Sequence, residues 1–357
     1  MSHLEARLEK DLKQIRSLVD EQAKRVEESV RNAVHALQTA NRNLAYATIL
    51  ADHPINRRMR QTDRLCHSFI AVHLPSAGHL RLMSSVIRVN IELERIGDYA
   101  VTISREAVQL SGRPNGTMAR ELERMSGETL LMLRQSLKAF ADLNAEMARS
   151  TMAIAEQIES DMDLIYGELM ANKAQPAIKD LLGIFVVFNQ LKRVADQAKN
   201  ICEETVFAVT GHQKEPKVYN VLFVDEDNSC LSPMAEAIAS NQYPESGRYR
   251  SAGRSPAEQL NATLVEFLGK RGIDLGDKQP STLDLTHREL ADQHVIVSLQ
   301  GPVLSYVSPV PFHTTALEWE LGPAPEAGDE QRVEELYREI AVQIKDLMEL
   351  LRGEGAS

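Results

Sequence analysis

The stretch Leu93–Ser104 reads L-E-R-I-G-D-Y-A-V-T-I-S, and it returns as L-K-R-V-A-D-Q-A-K-N-I-C at Leu191–Cys202, 98 residues downstream. Leu, Arg, Asp, Ala and Ile are identical between the copies. The apolar positions keep a three-to-four spacing, the period of a helix with one buried face. A helical unit is therefore duplicated. In the first copy Glu94 and Asp98 stand at i and i+4, so both carboxylates leave one helix face, where like charges cost about a few tenths of a kcal/mol. Arg95, a cation or a partner surface must compensate. Asp196 holds the place of Asp98 in the second copy, Glu159 and Asp163 form another acidic i, i+4 pair, and Asp52 with Asn56 precedes the first. Oxygen-bearing pairs distributed over both copies suit hard-cation sites carried on helices; a solvated acidic face is the plainer alternative.

With L-P-S-A-G-H-L-R at Leu74–Arg81 ahead of it, and an echo that runs on to L-K-R-V-A-D-Q-A-K-N-I-C-E-E, the repeated segment resembles the PhoU family, regulators of bacterial phosphate uptake and signalling. The resemblance spans about Leu4 to Gly211. It implies two three-helix bundles and divalent or trivalent metal ions held by E(D)-x-x-x-D pairs, with Glu94, Asp98, Asp52, Glu159, Asp163 and Asp196 as candidate ligands. Two departures bear on this. Lys192 replaces the carboxylate expected four residues before Asp196, and Asn56 replaces one in the first copy. An ammonium at Lys192 can neutralise Asp196 in place of a cation, which leaves Glu94 and Asp98 as the better candidates.

At 357 residues, 43% hydrophobic and 25% charged, the chain has the composition of a globular protein of two or three domains. A formal net charge of −11 argues against general affinity for nucleic acid or anionic membrane. The 3 cysteines, Cys66, Cys202 and Cys230, are widely spaced, which suits a reducing compartment and offers no structural-zinc spacing. The first dozen residues are charged, without a signal-peptide pattern, and the longest apolar run, Ile184–Phe188, falls far short of the about 20 residues that span a bilayer. A cytoplasmic location without membrane insertion is expected.

Leu4, Leu8, Leu12, Ile15, Val19, Val26, Val30, Val34 and Leu37 mark a long first helix with a break near Asp20. A helix start is read at Asp52 and Pro54, a second helix continues over Leu65–Val72, and a third spans Leu80–Leu110. Ser111–Thr117, S-G-R-P-N-G-T, separates the copies. Met118–Met147, Met152–Met170 and Ala177–Val209 then repeat the pattern. The helical domain is thus read as residues 1–212, with repeats at about 4–110 and 118–210. After the polar G-H-Q-K-E-P-K at Gly211–Lys217, a second domain over 218–353 changes period. Strands are read at Val218–Val224, Arg248–Ser251, His294–Leu299 and His313–Leu317. Helices are read at Ser232–Asn241, Ala257–Arg271 and Asp329–Leu351. Such alternation predicts an α/β fold with a parallel sheet and a ligand site where the first strand enters the first helix.

That turn reads V-L-F-V-D-E-D-N-S-C-L-S-P-M-A-E, Val221–Glu236. With S-A-G at Ser251–Gly253, R-G-I-D at Arg271–Asp274 and Trp319, it resembles the low-molecular-weight protein tyrosine phosphatase and arsenate reductase family, whose loop has the form V-C-x-x-N-x-C-R-S-P-M-A-E. By that resemblance the nucleophilic cysteine is Asp225 here and the phosphate-clamping arginine is Leu231. Pro323 stands where the general acid belongs. A thiolate, a bidentate guanidinium and a proton donor are what the reaction needs, and all are missing. The degenerate loop comprises Asp225, Glu226, Asp227, Asn228, Ser229, Cys230, Leu231 and Ser232. Its three carboxylates stand where backbone N–H groups would hold a dianion. Each carboxylate–phosphate pair at about 4 Å costs about 4 kcal/mol at an effective dielectric near 20. Phosphate is expected to be repelled, and a cation or a basic partner favoured.

Two other chemistries can be read there. Cys230 is either a substitute nucleophile or a buried supporting thiol; no neighbouring His or Arg in sequence lowers its pKa. Asp225 and Asp227 after a hydrophobic strand resemble the first motif of haloacid-dehalogenase-type phosphatases, but Lys278 and Asp292 lack the contexts which that chemistry needs. The leading expectation is a multidomain chain, a pair of all-α three-helix bundles followed by an α/β domain. Its function would be non-enzymatic regulation of phosphate uptake and phosphate-responsive signalling, with no catalytic residues. The resemblance implies partners in a phosphate-transporter ATPase subunit and a phosphate-sensing histidine kinase, and a homodimer. The alternatives are an active phosphatase or arsenate reductase, dependent on Asp225 or Cys230 and carried by a targeting module, and a purely structural dimer.

Overall fold

The computed structural model describes residues 3–171, 178–212 and 216–353, apart from the side chains at 160, 163, 164, 166, 168–171, 287 and 288. The chain divides into two compact units, Met1–Lys214 and Glu215–Ser357.

The first unit is helical. Its helices are α1 (His3–Thr39), α2 (Arg42–Leu50), α3 (Asp52–His73), α4 (Ala77–Gln109), α5 (Gly116–Ala141), α6 (Ala145–Ala171) and α7 (Ile178–Thr210). Each half is a three-helix bundle, the middle member of the first being broken into α2 and α3. Leu93, Ile96, Ala100 and Ile103 on α4 are buried, as are Leu191, Val194, Ala198 and Ile201 at the equivalent places on α7. One cluster of buried side chains runs through both halves. Burial of each Leu, Ile or Val stabilises the unit by about 1.5–3 kcal/mol.

The duplication also shows in the turns. After α1, Ala40 takes a left-handed φ of 53°, the Asn41 N–H donates to Ala36 O at 2.9 Å, and Asn41 Oδ1 accepts from the Leu44 N–H at 3.1 Å. After α5, Leu143 (φ 49°) and Asn144 repeat this, with Asn144 N–H to Ala139 O at 2.8 Å and Met147 N–H to Asn144 Oδ1 at 2.9 Å. One residue thus closes a helix and caps the next.

Several boundaries differ from the sequence expectation. The first helix runs unbroken through Asp20, whose exposed carboxylate accepts from Lys24 Nζ at 2.8 Å along the same face. The middle helix of the first half begins at Arg42 and is interrupted at Ala51, and α5 ends at Ala141 rather than Met147. Pro54 sits in the first turn of α3, where a missing N–H costs least.

The second unit runs β1 (Tyr219–Asp225), α8 (Leu231–Gln242), β2 (Gly247–Gly253), α9 (Ala262–Gly269), α10 (His287–Ala291), β3 (Val295–Ser298), a 3-10 turn at Val303–Ser305, β4 (Thr315–Glu318) and α11 (Glu330–Arg352). The sheet order is β2-β1-β3-β4, and every pair is parallel. The alternation of β1 puts Val221 and Phe223 into the core formed with α8, α9 and α11, while Leu222 and Val224 pack on the opposite face. The helix expected from Ala257 begins at Ala262, where Asn261 accepts from the Thr263 and Leu264 N–H groups. The last strand begins at Thr315 rather than His313. The strand order reverses beside β1, so the β1–α8 turn opens at the crevice where ligands of such sheets bind. Among the described residues no helix is long and apolar enough to cross a membrane.

Candidate functional site

The β1–α8 turn is built around Asp225, which is only 1% exposed at the end of β1. Its carboxylate turns into the loop: Oδ1 accepts from the Asn228 N–H at 2.7 Å and Oδ2 from the Ser232 N–H at 2.8 Å. Ser232 lies in the first turn of α8, where N–H groups and the helix dipole favour an anion. The Asp225 carboxyl occupies that place. Burial pushes its carboxyl above the usual range; the bonds from Ser232 and Asn228 pull it back, and neighbouring Asp227 pushes it further up.

Asn228 locks the loop. Its backbone takes a left-handed φ of 50°, its Nδ2 donates to Ser232 Oγ at 2.8 Å, and its Oδ1 accepts from the Ser281 N–H at 2.7 Å. Gly253 makes room for it. A Cβ at Gly253 would lie 2.7 Å from the Asn228 nitrogen, inside contact distance.

The three loop carboxylates do not share one cradle. Asp227 Oδ1 accepts from the Ser229 N–H at 3.0 Å, and Glu226 pairs with Arg254 Nη2 at 2.6 Å. The Arg254 guanidinium lies 5.6 Å from the centre of the Tyr306 ring. The expected joint negative field is thus divided: one carboxylate fills the donors, one is spent on the turn, and one is paired at the surface. Cys230 and Leu231 are fully buried, and burial, with Asp225 and Asp227, pushes the Cys230 thiol up to about 12. Lys278 is bridged to Glu236 on α8, and Asp292 offers its carbonyl to the Asn220 side chain.

In the helical unit, α3 and α4 bring Asp52, Glu94 and Asp98 into mutual range. Burial raises the Asp52 carboxyl, and Asp98 raises it further; burial, then Asp98 and Asp52, raises Glu94. Asn56 Nδ2 donates to Asp52 Oδ2 at 3.0 Å, while Asp52 Oδ1 is buried without a hydrogen-bond partner, 3.1 Å from where a Cβ on Gly97 would stand. Among the described residues no group of three or more His, Cys, Asp or Glu side chains converges as a metal-ion site. The second half differs in sign: Lys192 Nζ lies 3.2 Å from Asp196 and 3.7 Å from Glu159. The side chain of Asp163 lies outside the described residues.

The comparisons with known proteins follow the same division. The PhoU domain profile matches residues 19–107 and 122–205. An accessory protein of the phosphate-specific transport system from Pseudomonas aeruginosa is 30% identical over 214 residues, covering 58% of this chain and 88% of the relative. The chain belongs to the PhoU family. A Pseudomonas putida PhoU homologue is 31% identical over 214 residues, covering 58% of this chain and 83% of its own. The crystal structure of PhoU from Pseudomonas aeruginosa covers 57% of this chain and 99% of its own, with 31% identity and a TM-score of 0.55. Beyond the PhoU repeats, residues 220–356 match the low molecular weight phosphotyrosine protein phosphatase profile. This PhoU protein therefore joins a duplicated helical unit to a phosphatase-like α/β domain.

Proposed function

We propose that this chain is a non-enzymatic regulator of phosphate uptake and phosphate-responsive signalling in the cytoplasm. Its α/β domain would be a phosphatase scaffold without catalysis. The regulatory half of the reading is supported by relatives named as accessory proteins of phosphate-specific transport systems. The observation that carries the non-enzymatic half is the seating of the Asp225 carboxylate on the Asn228 and Ser232 amides, the donors a phosphoryl group would need. The buried, un-ionised Cys230 offers no substitute nucleophile. Action is through contacts with the transporter's ATPase subunit and a phosphate-sensing histidine kinase, as a homodimer.

A divalent or trivalent cation would be drawn to the Asp52, Glu94 and Asp98 carboxyls of the first half, which do not converge as a ready-made site. The unpartnered Asp52 Oδ1 supports this, and a cation would relieve the mutual repulsion that raises Asp52 and Glu94. In the second half Lys192 already supplies the positive charge.

The test has two arms. The purified chain should neither hydrolyse an aryl phosphate nor reduce arsenate, with or without magnesium. Turnover abolished by Asp225→Asn would replace this reading with an aspartyl phosphatase, and turnover abolished by Cys230→Ser with a thiol enzyme. In a bacterium lacking its own phosphate regulator, the chain should restore repression of a phosphate-starvation reporter; an unrepressed reporter would end the regulatory reading.

A further inference from the structure

The solvent face of α3 carries a row of cations. Ile55, Thr62, Cys66 and Phe69 turn one side of this helix to the core. At the opposite phase stand Arg57, Arg60, Arg64 and His67, all exposed. Steps of three, four and three residues set each side chain above the last, along a convex ridge rather than in a cleft. Of the α3 arginines, Arg58 pairs with Glu21 on α1, whereas Arg57, Arg60 and Arg64 take no ion pair among the described residues. Asp63, the acid within this span, points away from the row and accepts from Asn90 Nδ2 at 2.8 Å. An ordinary solvated face mixes both signs, but this one carries a single sign on a chain of net charge −11.

The row runs into an apolar tip. Around the α3–α4 turn Val72 is 51% exposed, Leu74 85% and Leu80 46%. Leu74 ends α3 in a left-handed conformation, φ 44°, which is unfavourable for a leucine, and no burial of its side chain offsets that cost. Scattered apolar residues on a surface are commonplace, but here three stand together around one turn, at the end of a cationic row. Arg57 and Leu74 are about 25 Å apart at the helical rise.

We propose that α3 and the α3–α4 turn dock on an anionic bilayer surface, with Arg57, Arg60 and Arg64 on lipid phosphates and Leu74 in the boundary between headgroups and acyl chains. This goes beyond the regulatory reading and does not depend on it. A broad anionic surface meets a convex row along its whole length, and each guanidinium can grip a phosphate through two N–H groups. The apolar tip decides between polyanions: a nucleic acid offers phosphates to the arginines but no apolar layer to Val72, Leu74 and Leu80, whereas a bilayer offers both. The chain's net negative charge does not oppose this contact strongly. At physiological ionic strength charges are screened over about 8 Å, so the residues that touch the surface outweigh acids elsewhere. Those acids instead fix the orientation, since faces other than α3 are repelled. The contact is peripheral, because among the described residues no helix is long and apolar enough to cross a membrane.

The test is flotation of the full chain with vesicles of phosphatidylcholine alone or mixed equally with phosphatidylglycerol. The mixed vesicles should bind at least tenfold tighter, and added salt should weaken that binding. The triple variant Arg57→Gln/Arg60→Gln/Arg64→Gln, on exposed positions, should lower the affinity for mixed vesicles at least tenfold. Leu74→Asn should lower it about threefold or more, since asparagine tolerates the left-handed backbone and removes only the apolar side chain. Both variants should keep the circular dichroism spectrum of wild type. Equal binding to the two kinds of vesicle, or indifference to the triple variant, overturns the proposal. Indifference to Leu74→Asn overturns it as well, because charge alone would then account for the contact. A short DNA duplex bound as tightly as the mixed vesicles, with the same loss in the triple variant, would make the row a nucleic-acid contact instead.

Discussion

Asp225 decides the character of the α/β domain. Its two oxygens take two backbone donors, and a buried donor left without its acceptor costs about 1–3 kcal/mol. Asp225→Ala should therefore lower the unfolding free energy of this domain by about 2–6 kcal/mol while freeing both amides. Millimolar inorganic phosphate should then raise the melting temperature of Asp225→Ala and leave wild type unmoved; phosphate stabilisation of wild type would contradict the described loop. The proposed loss of chemistry rests on the sequence, where the resemblance sets Asp225, Leu231 and Pro323 at the positions of the nucleophile, the clamp and the acid. The self-occupancy was not legible there. A string of three acids suggests shared repulsion, and only the backbone turn, with Asn228 in a left-handed conformation, shows that Asp225 faces inward while Glu226 faces Arg254.

Among the elements, closeness of approach sets the sensitive points. Gly253 at the end of β2 admits the backbone of the loop at Asn228, and backbone cannot swing aside as a side chain can. Gly253→Ala should destabilise the domain by about 1–3 kcal/mol or more, measured by denaturant midpoint, although alanine is otherwise the gentlest replacement. On α3 and α4 the effect is electrostatic. Asp52 and Glu94 have raised carboxyls, so the stability tied to them is present below the ordinary carboxylate range and lost as pH rises through their folded-state values. In metal-free buffer, Asp98→Asn should reduce that loss. In native preparations, elemental analysis should show less bound metal in the variant, and unchanged content would remove Asp98 from any cation site. The helices themselves were readable because the apolar stripe of α4 recurs in α7. Their joints were not: the helix ends at Ala40 and Leu143 lack glycine, the usual mark of a left-handed stop, and the usable signals were the capping residues Asn41 and Asn144. Asp20 misled because a helix-weakening residue in mid-helix signals a break, yet a lysine one turn on holds it in place.

For the whole molecule, the buried clusters divide where the units do: one set joins α1 to α7, and others lie within the α/β domain. Residues 1–212 produced alone should keep a fully helical circular dichroism spectrum and a cooperative thermal transition, whereas loss of cooperativity would show that the helical unit depends on the other domain. The switch of apolar period after Lys217 falls beside the start of β1 at Tyr219, because strands and helices repeat differently. A free anion competes for a binding loop in proportion to its concentration, whereas the Asp225 carboxyl is tethered to the loop by its own backbone, so its seating involves no loss of translational freedom. On the proposed reading, the occupant of this loop does not change with the phosphate level. On the same proposed reading, the α/β domain does not answer to phosphate itself, and word of its scarcity reaches this protein through its partners.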